Sequence, residues 1–210
     1  MAAVTDEFQE QSFRPAFGRA AAAAMIVVCA SAALSVVGAG LDVVVSIWPW
    51  LALLGYAAWA LYWRPEVRID PAGVHVVNVF RTFDVPWPAI EQIETQWALT
   101  LVTRWGTVKA WAAPAPGRQA MRRAQPGDRR IGGARPGDTV RPSDLPNTES
   151  GAAAMIVRQR WVRLREAGHL DDDRFDGRIE FERMPTRWHL GTICGFVALI
   201  ALVAVGTATS

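Results

Sequence analysis

Chemistry in this chain of 210 residues would have to begin at its three histidines, its two cysteines or its clustered acids. His75, His169 and His189 are scattered, with no Cys or carboxylate at metal-ligand spacing. No Ser stands in a G-x-S-x-G nucleophile elbow, and no glycine-rich phosphate loop precedes a helix. Asp171-Asp172-Asp173 lacks both the loop spacing and the closing bidentate Glu of a calcium site, so it reads as a solvated acidic turn. Cys29 and Cys194 both lie inside apolar tracts, where a free thiol acts as a small hydrophobe, and they carry no information about redox compartment. His189, beside Trp188, reads as an interfacial residue. The expectation is a protein that is not an enzyme and that holds no cofactor or metal.

The basic side chains offer binding chemistry instead. Arg81, Arg104 and Lys109 fall at or beside expected turns and strands, and Arg158 and Arg165 lie on the polar side of an expected helix. These five are the candidate binding residues. Arg118, Arg122, Arg123, Arg129 and Arg130 add charge from a loop. Next to an anionic leaflet each such group contributes about 1 kcal/mol. Neighbouring acids hold the formal net charge to +2, which equally fits ordinary solubilising charge. Aromatic residues are not interleaved with the loop arginines, so stacking platforms for nucleic acid are missing.

The elements that must position these groups follow from how charge is segregated. The sequence is 51% hydrophobic and 20% charged, yet Ala20 to Leu41, Val43 to Trp63 and Leu190 to Ser210 contain no Asp, Glu, Lys or Arg. About 20 apolar residues span a hydrocarbon core of roughly 30 Å, so three transmembrane helices are expected. A soluble chain of this length has too little interior to hide three helices that are apolar all round. The first tract is longer than the apolar region of a signal peptide, which predicts that it is retained. Only Asp42 separates the first two spans, so they form a tight hairpin. All 22 Lys and Arg then fall on one side, which the positive-inside rule makes cytoplasmic. Tyr62, Trp63 and Trp188 are expected at the inner interface, and Trp48 and Trp50 near the outer one. Pro49 is expected in an N-terminal turn of the second helix. Gly191 and Gly195 form a small-xxx-small pair suited to close packing on the hairpin or on another copy. No ionisable residue sits mid-span to mark a transport pathway.

Between the second and third spans the period changes to two. Val67 and Ile69 alternate with charged residues, Asp70-Pro71-Ala72-Gly73 forms a turn, and Val74 to Val79 returns as a second strand. A short strand, Phe83 to Val85, ends at Pro86-Trp87-Pro88, and Ile90 and Ile93 are expected to plug the core beneath that loop. Thr95, Trp97, Leu99 and Leu101 alternate up to a Trp105-Gly106 turn, after which Val108, Ala110 and Ala112 alternate with Lys109 and Trp111. The sum is a meander of about five to six antiparallel strands. Pro, Gly and Arg dominate the next stretch, which cannot bury enough apolar area to order itself. Ser150 is a plausible N-cap for a helix over Ala153 to Ala167, with Ala154, Val157, Trp161 and Leu164 on its apolar face and Gly168 as its C-cap. That helix should cover the open end of the sheet.

Strands followed by one amphipathic helix suggest a barrel of pleckstrin-homology type. Arg64-Pro65-Glu66-Val67-Arg68-Ile69-Asp70, Gly73-Val74, Asn78, Arg81-Thr82, Val85-Pro86-Trp87 with Ile90, Trp105-Gly106 and Ala110-Trp111 resemble the bacterial PH-domain membrane proteins of actinobacteria, of the low-molecular-weight protein antigen type. The resemblance extends to the preceding hairpin and to Arg187-Trp188-His189, and it rests on structural motifs. It implies an α+β membrane protein: a cytosolic tail over 1–19, a helical hairpin over 20–63, a PH-like β domain over 64–113, a disordered loop over 114–149, the completing helix over 150–168, a connector over 169–188 and a third span over 189–210. The resemblance bears on fold more than on function; the function expected from the sheet edge, the amphipathic helix and the basic residues is a non-enzymatic interaction module on the inner face of the plasma membrane. It would scaffold or regulate an envelope protein partner or, alternatively, bind anionic lipid head groups. Nucleic acid is not an expected partner.

Overall fold

In the computed structural model of the chain, the described residues are 10–38, 40–94, 98–114, 149–168, 170 and 183–208. In chain order the elements are β1 (Gln11–Phe13), α1 (Ala16–Ser35), α2 (Leu41–Ala58), β2 (Glu66–Ile69), β3 (Gly73–Val77), β4 (Arg81–Pro86), β5 (Ile90–Glu94), β6 (Ala98–Thr103), β7 (Gly106–Pro114), α3 (Glu149–Glu166), β8 (Thr186–Trp188) and α4 (Leu190–Ala208). They form two compact units. The helix unit draws on 15–65, 79–81 and 188–210, and the sheet unit on 1–14, 66–78 and 82–187.

In the helix unit, Ala16–Ser35, Leu41–Trp63 and Leu190–Ala208 are each long and apolar enough to cross a membrane. The middle helix ends in a π-helical turn, Trp59–Trp63. Pro49 sits inside α2, not at its N-terminal turn, because the helix already begins at Leu41. Proline has no N–H for the carbonyl one turn back. Gly206 of α4 approaches that Val45 carbonyl so closely that an added Cβ would stand 3.0 Å from it. Gly195 is packed harder still: a Cβ there would overlap the Tyr56 ring of α2. Gly191 has nothing within 4 Å of the same position. Of the two glycines, then, Gly195 packs α4 on the hairpin. Tyr56 also meets Phe196 edge-on at 5.0 Å.

In the sheet unit, β1-β2-β3-β4-β8 form one sheet and β5-β6-β7 a second. Alternation sends Val67, Ile69, Val74, Val76 and Val85 of the first sheet and Leu99, Leu101, Val108 and Ala110 of the second into one core. Helix α3 completes it with Ala153, Ala154 and Val157, while Trp161 and Leu164 pack at its margin. Contacts with β5, β6 and β7 place the helix over the smaller sheet. It ends at Glu166, and Gly168, two residues on, has the φ of 70° that suits glycine best.

Three local expectations change. The stretch assigned to an N-terminal tail contains β1, paired antiparallel with β2 through Gln11↔Ile69 and Phe13↔Val67. Ile90 is buried in the core and Ile93 packs against it, as expected, but both do so from a strand. Pro86-Trp87-Pro88 makes only a 3-10 corner, and the chain continues directly as β5, paired with β6. The connector before the last helix contains β8. The runs of β1 and β8 are short and their pairing partners are distant in sequence, and β5 directly follows a proline-rich corner. Thr95 and Trp97, the Pro/Gly/Arg loop with its arginines, His169 and the Asp171-Asp172-Asp173 turn lie outside the described residues.

Candidate functional site

Alternation that buries Val67, Ile69, Val74 and Val76 turns Glu66, Arg68 and His75 to the opposite face of the larger sheet. Register then brings charges into line: Ser12 faces Arg68, Arg68 faces His75, and His75 faces Asp84. Glu66 is buried and salt-bridged to both Arg14 and Arg68. Two carboxylates grip the His75 ring. Its Nε2 lies 2.6 Å from Asp70 Oδ2 and its Nδ1 lies 2.5 Å from Asp84 Oδ1. Arg187 on β8 closes the row, its Nε donating to Asp84 Oδ2 at 2.9 Å and its Nη2 to Oδ1 at 3.0 Å. Asp70 is set by its turn, where Oδ1 accepts the amides of Ala72 and Gly73, each at 2.8 Å.

Both ring nitrogens facing carboxylates favour the imidazolium form of His75. Burial by itself lowers the His75 pKa, but hydrogen bonds to Asp84 and Asp70 outweigh it and the net shift is upward. Burial likewise pushes Asp70 up, yet the Gly73 amide, His75 and the Ala72 amide hold its carboxyl below the usual range. For Asp84, burial is again overcome, here by Arg187 and His75, and the net shift is downward.

This geometry limits the chemistry. A ring committed on both nitrogens has no free site to take a substrate proton, and carboxylates on opposite sides of it cannot converge on one ion. Among the described residues no group of His, Cys, Asp and Glu is arranged to hold a metal. The row acts as a cross-link: it ties the β2–β3 turn, β3, β4 and β8 together through side chains.

The five candidate binding residues do not form one cluster. Arg81 belongs to the helix unit, with its guanidinium carbon 5.6 Å from the Trp188 ring centre. Arg104 is exposed in the β6–β7 turn, and Lys109 is exposed on β7 beside Trp111, which is 54% exposed. Lys109 and Trp111 point outward because Val108, Ala110 and Ala112 point in. Arg158 of α3 donates to the Ile93 carbonyl of β5 at 3.5 Å, and Arg165 lies 5.3 Å from the ring centre of Trp161. Sequence reasoning missed Asp70, His75, Asp84 and Arg187 as a group. The alternation of β2 and β3 was a usable signal for His75 facing outward, but nothing local announced Arg187, 103 residues from Asp84.

The helix unit carries its own ring of cation–aromatic contacts near the charged ends of its helices. Arg19 lies 4.6 Å from the Trp63 ring centre and Arg64 5.9 Å from that of Trp59. The His189 amide donates to the Phe80 carbonyl at 2.8 Å, and its Nδ1 is 3.3 Å from the Val79 carbonyl oxygen.

Two antiparallel sheets around one core, with a helix laid over the smaller sheet, define a PH-like domain, a type of protein- or lipid-interaction module that is typically non-catalytic. Residues 64–139 match the family model of the bacterial PH domain. No curated protein and no solved structure matches the chain.

Proposed function

We propose that the protein is a membrane-attached PH-like interaction module whose sheet unit faces the cytoplasm and scaffolds or regulates a protein partner of the cell envelope. The observation that carries this reading is the edge of the smaller sheet. In the larger sheet the edges are β1 and β8, each three residues long. In the smaller sheet β7 is bonded by Asn78, which donates to the Lys109 carbonyl and accepts from the Trp111 amide, both at 2.8 Å. That leaves β5, five residues long and paired with β6 alone, as the edge most suited to an added strand. Arg158 of α3 donates to the Ile93 carbonyl of this strand at 3.5 Å, a single contact that an added strand would replace. Three helices already suffice for attachment, so a partner is a better use of this surface than a further anchor.

A photo-cross-linker placed at exposed Gln92 in the full-length chain, in its native membrane, tests the reading. Adducts to one protein partner that disappear when the cross-linker is moved to Lys109 are the expected result. Adducts only to lipid at both positions would remove its support. The alternative reading, recognition of anionic head groups, is favoured by one observation: Arg104, Lys109 and Trp111 share the exposed β6–β7 hairpin, combining cations with an interfacial aromatic. Salt-dependent cross-linking from Lys109 to phosphatidylglycerol, with none to phosphatidylcholine, would favour it.

A further inference from the structure

The helix unit contains the arginines Arg19, Arg64 and Arg81 and a single acid, Asp42. Asp42 stands at the start of α2, whereas Arg64 follows the π-helical turn at its far end, about 30 Å away along the axis at 1.5 Å per residue. No carboxylate of this unit therefore reaches its arginine end. Trp rings support two of the charges there, with the Arg19 guanidinium over Trp63 and that of Arg64 over Trp59. The π turn makes the second pairing. Its closing bond runs from the Arg64 amide to the Trp59 carbonyl at 3.2 Å, and this wider turn returns Arg64 to the side of Trp59.

Both guanidiniums keep their charge unneutralised within the unit. Arg64 donates from Nη1 to two neutral acceptors, the Val79 carbonyl at 3.3 Å and the Thr192 hydroxyl. Burial lowers its pKa, and a nearby anion would oppose that shift. Arg19 Nε is buried and has no hydrogen-bond partner among the described residues, which costs stability until an acceptor is supplied. Tyr62 and Trp63 are exposed beside them, as aromatic residues at head-group level are. A phosphate group fits such donors, because planar guanidiniums bind its oxygens in pairs. A second copy in the same membrane has the same orientation and brings the same arginines, so like charges would meet.

We propose that Arg19 and Arg64 bind the phosphate of an anionic phospholipid, taken from the leaflet next to the start of α1. Phosphatidylcholine carries the same phosphate but adds an ammonium group that the arginines repel, so the site selects head groups of net negative charge. The proposal rests on the reading that the helices span a bilayer and is independent of the protein partner proposed above.

The test uses the full-length protein in mild detergent micelles containing equal amounts of phosphatidylglycerol and phosphatidylcholine, with retained lipid counted by native mass spectrometry. Wild type should retain phosphatidylglycerol several-fold over phosphatidylcholine. Arg19→Gln should cut that preference several-fold, and Arg19→Lys, which keeps the charge, should preserve part of it. Arg64→Gln should act in the same direction, with circular dichroism checking that loss of the Thr192 contact leaves the helices formed. The double variant Arg104→Gln, Lys109→Gln on the β6–β7 hairpin should leave the preference unchanged. Equal retention of the two lipids by wild type, or an undiminished preference in Arg19→Gln, would overturn the proposal. Loss of preference in the hairpin variant alone would overturn it in favour of the hairpin. Displacement of the lipid by millimolar inorganic phosphate would make a soluble anion the ligand and overturn the lipid assignment. Flotation with phosphatidylcholine vesicles at alkaline pH checks the membrane reading separately: protein left at the bottom would overturn both, whereas floating protein without lipid preference would overturn the site alone.

Discussion

At the scale of single residues, the charge row on the larger sheet decides how the sheet unit responds to pH. His75 has a raised pKa when folded, so its stabilisation is complete below the unfolded value, near 6.5, and is lost as pH rises through the folded value. Asp70 and Asp84 have lowered pKa values, so their contribution is present above the unfolded value of 3.8 and is lost as pH falls through the folded ones. Thermal unfolding followed by tryptophan fluorescence should therefore show the sheet unit losing stability as pH rises above neutrality. His75→Gln should flatten that slope, and a wild-type melting temperature unchanged on the alkaline side would contradict the bridging imidazolium. Asp84 is the shared acceptor of His75 and Arg187, and its loss leaves a half-buried charge without its partner. Asp84→Asn should cost on the order of 2 kcal/mol in denaturant unfolding. Arg187, whose side chain is 71% exposed, should cost under about 1 kcal/mol when changed to Gln, because exposed pairs are screened. The reverse ranking would place the weight of the row on β8.

At the scale of elements, helix packing in the helix unit depends on which glycine touches a neighbour. Gly195→Leu forces a side chain into the Tyr56 ring, whereas Gly191→Leu meets open space. The first change should lower the melting temperature in detergent by several degrees and the second should have little effect. Equal sensitivity at both sites, accompanied by a change in oligomeric state, would instead assign the pair to contact between copies. In the sheet unit the corresponding dependence is on α3, whose Ala153, Ala154 and Val157 close a core that the two sheets alone leave incomplete.

For the whole molecule, the prediction concerns sidedness. Apart from Arg19 in the first turn of the first span, every Lys and Arg precedes that span or follows the second in sequence, before the third begins, so the positive-inside bias acts in one direction. With a membrane-impermeant maleimide on intact cells, Val37→Cys in the α1–α2 turn should label, and Gln92→Cys should label only after permeabilisation. Labelling of Gln92→Cys in intact cells would reverse the proposed orientation and, with it, the envelope-scaffold reading.

Periods and charge gaps were enough to read the three apolar helices, the β2–β3 hairpin, the inward set Leu99, Leu101, Val108, Ala110 and Ala112, and the apolar side of α3, because each is a local pattern repeated over several residues. The family resemblance was carried by the same local motifs around Glu66 to Trp111. Tertiary structure alone decided the rest. β1 and β8 are three residues each, too short to show a period, and exist because β2 and β4 offer them hydrogen bonds. Asp70, His75, Asp84 and Arg187 meet only once four separate segments are in register.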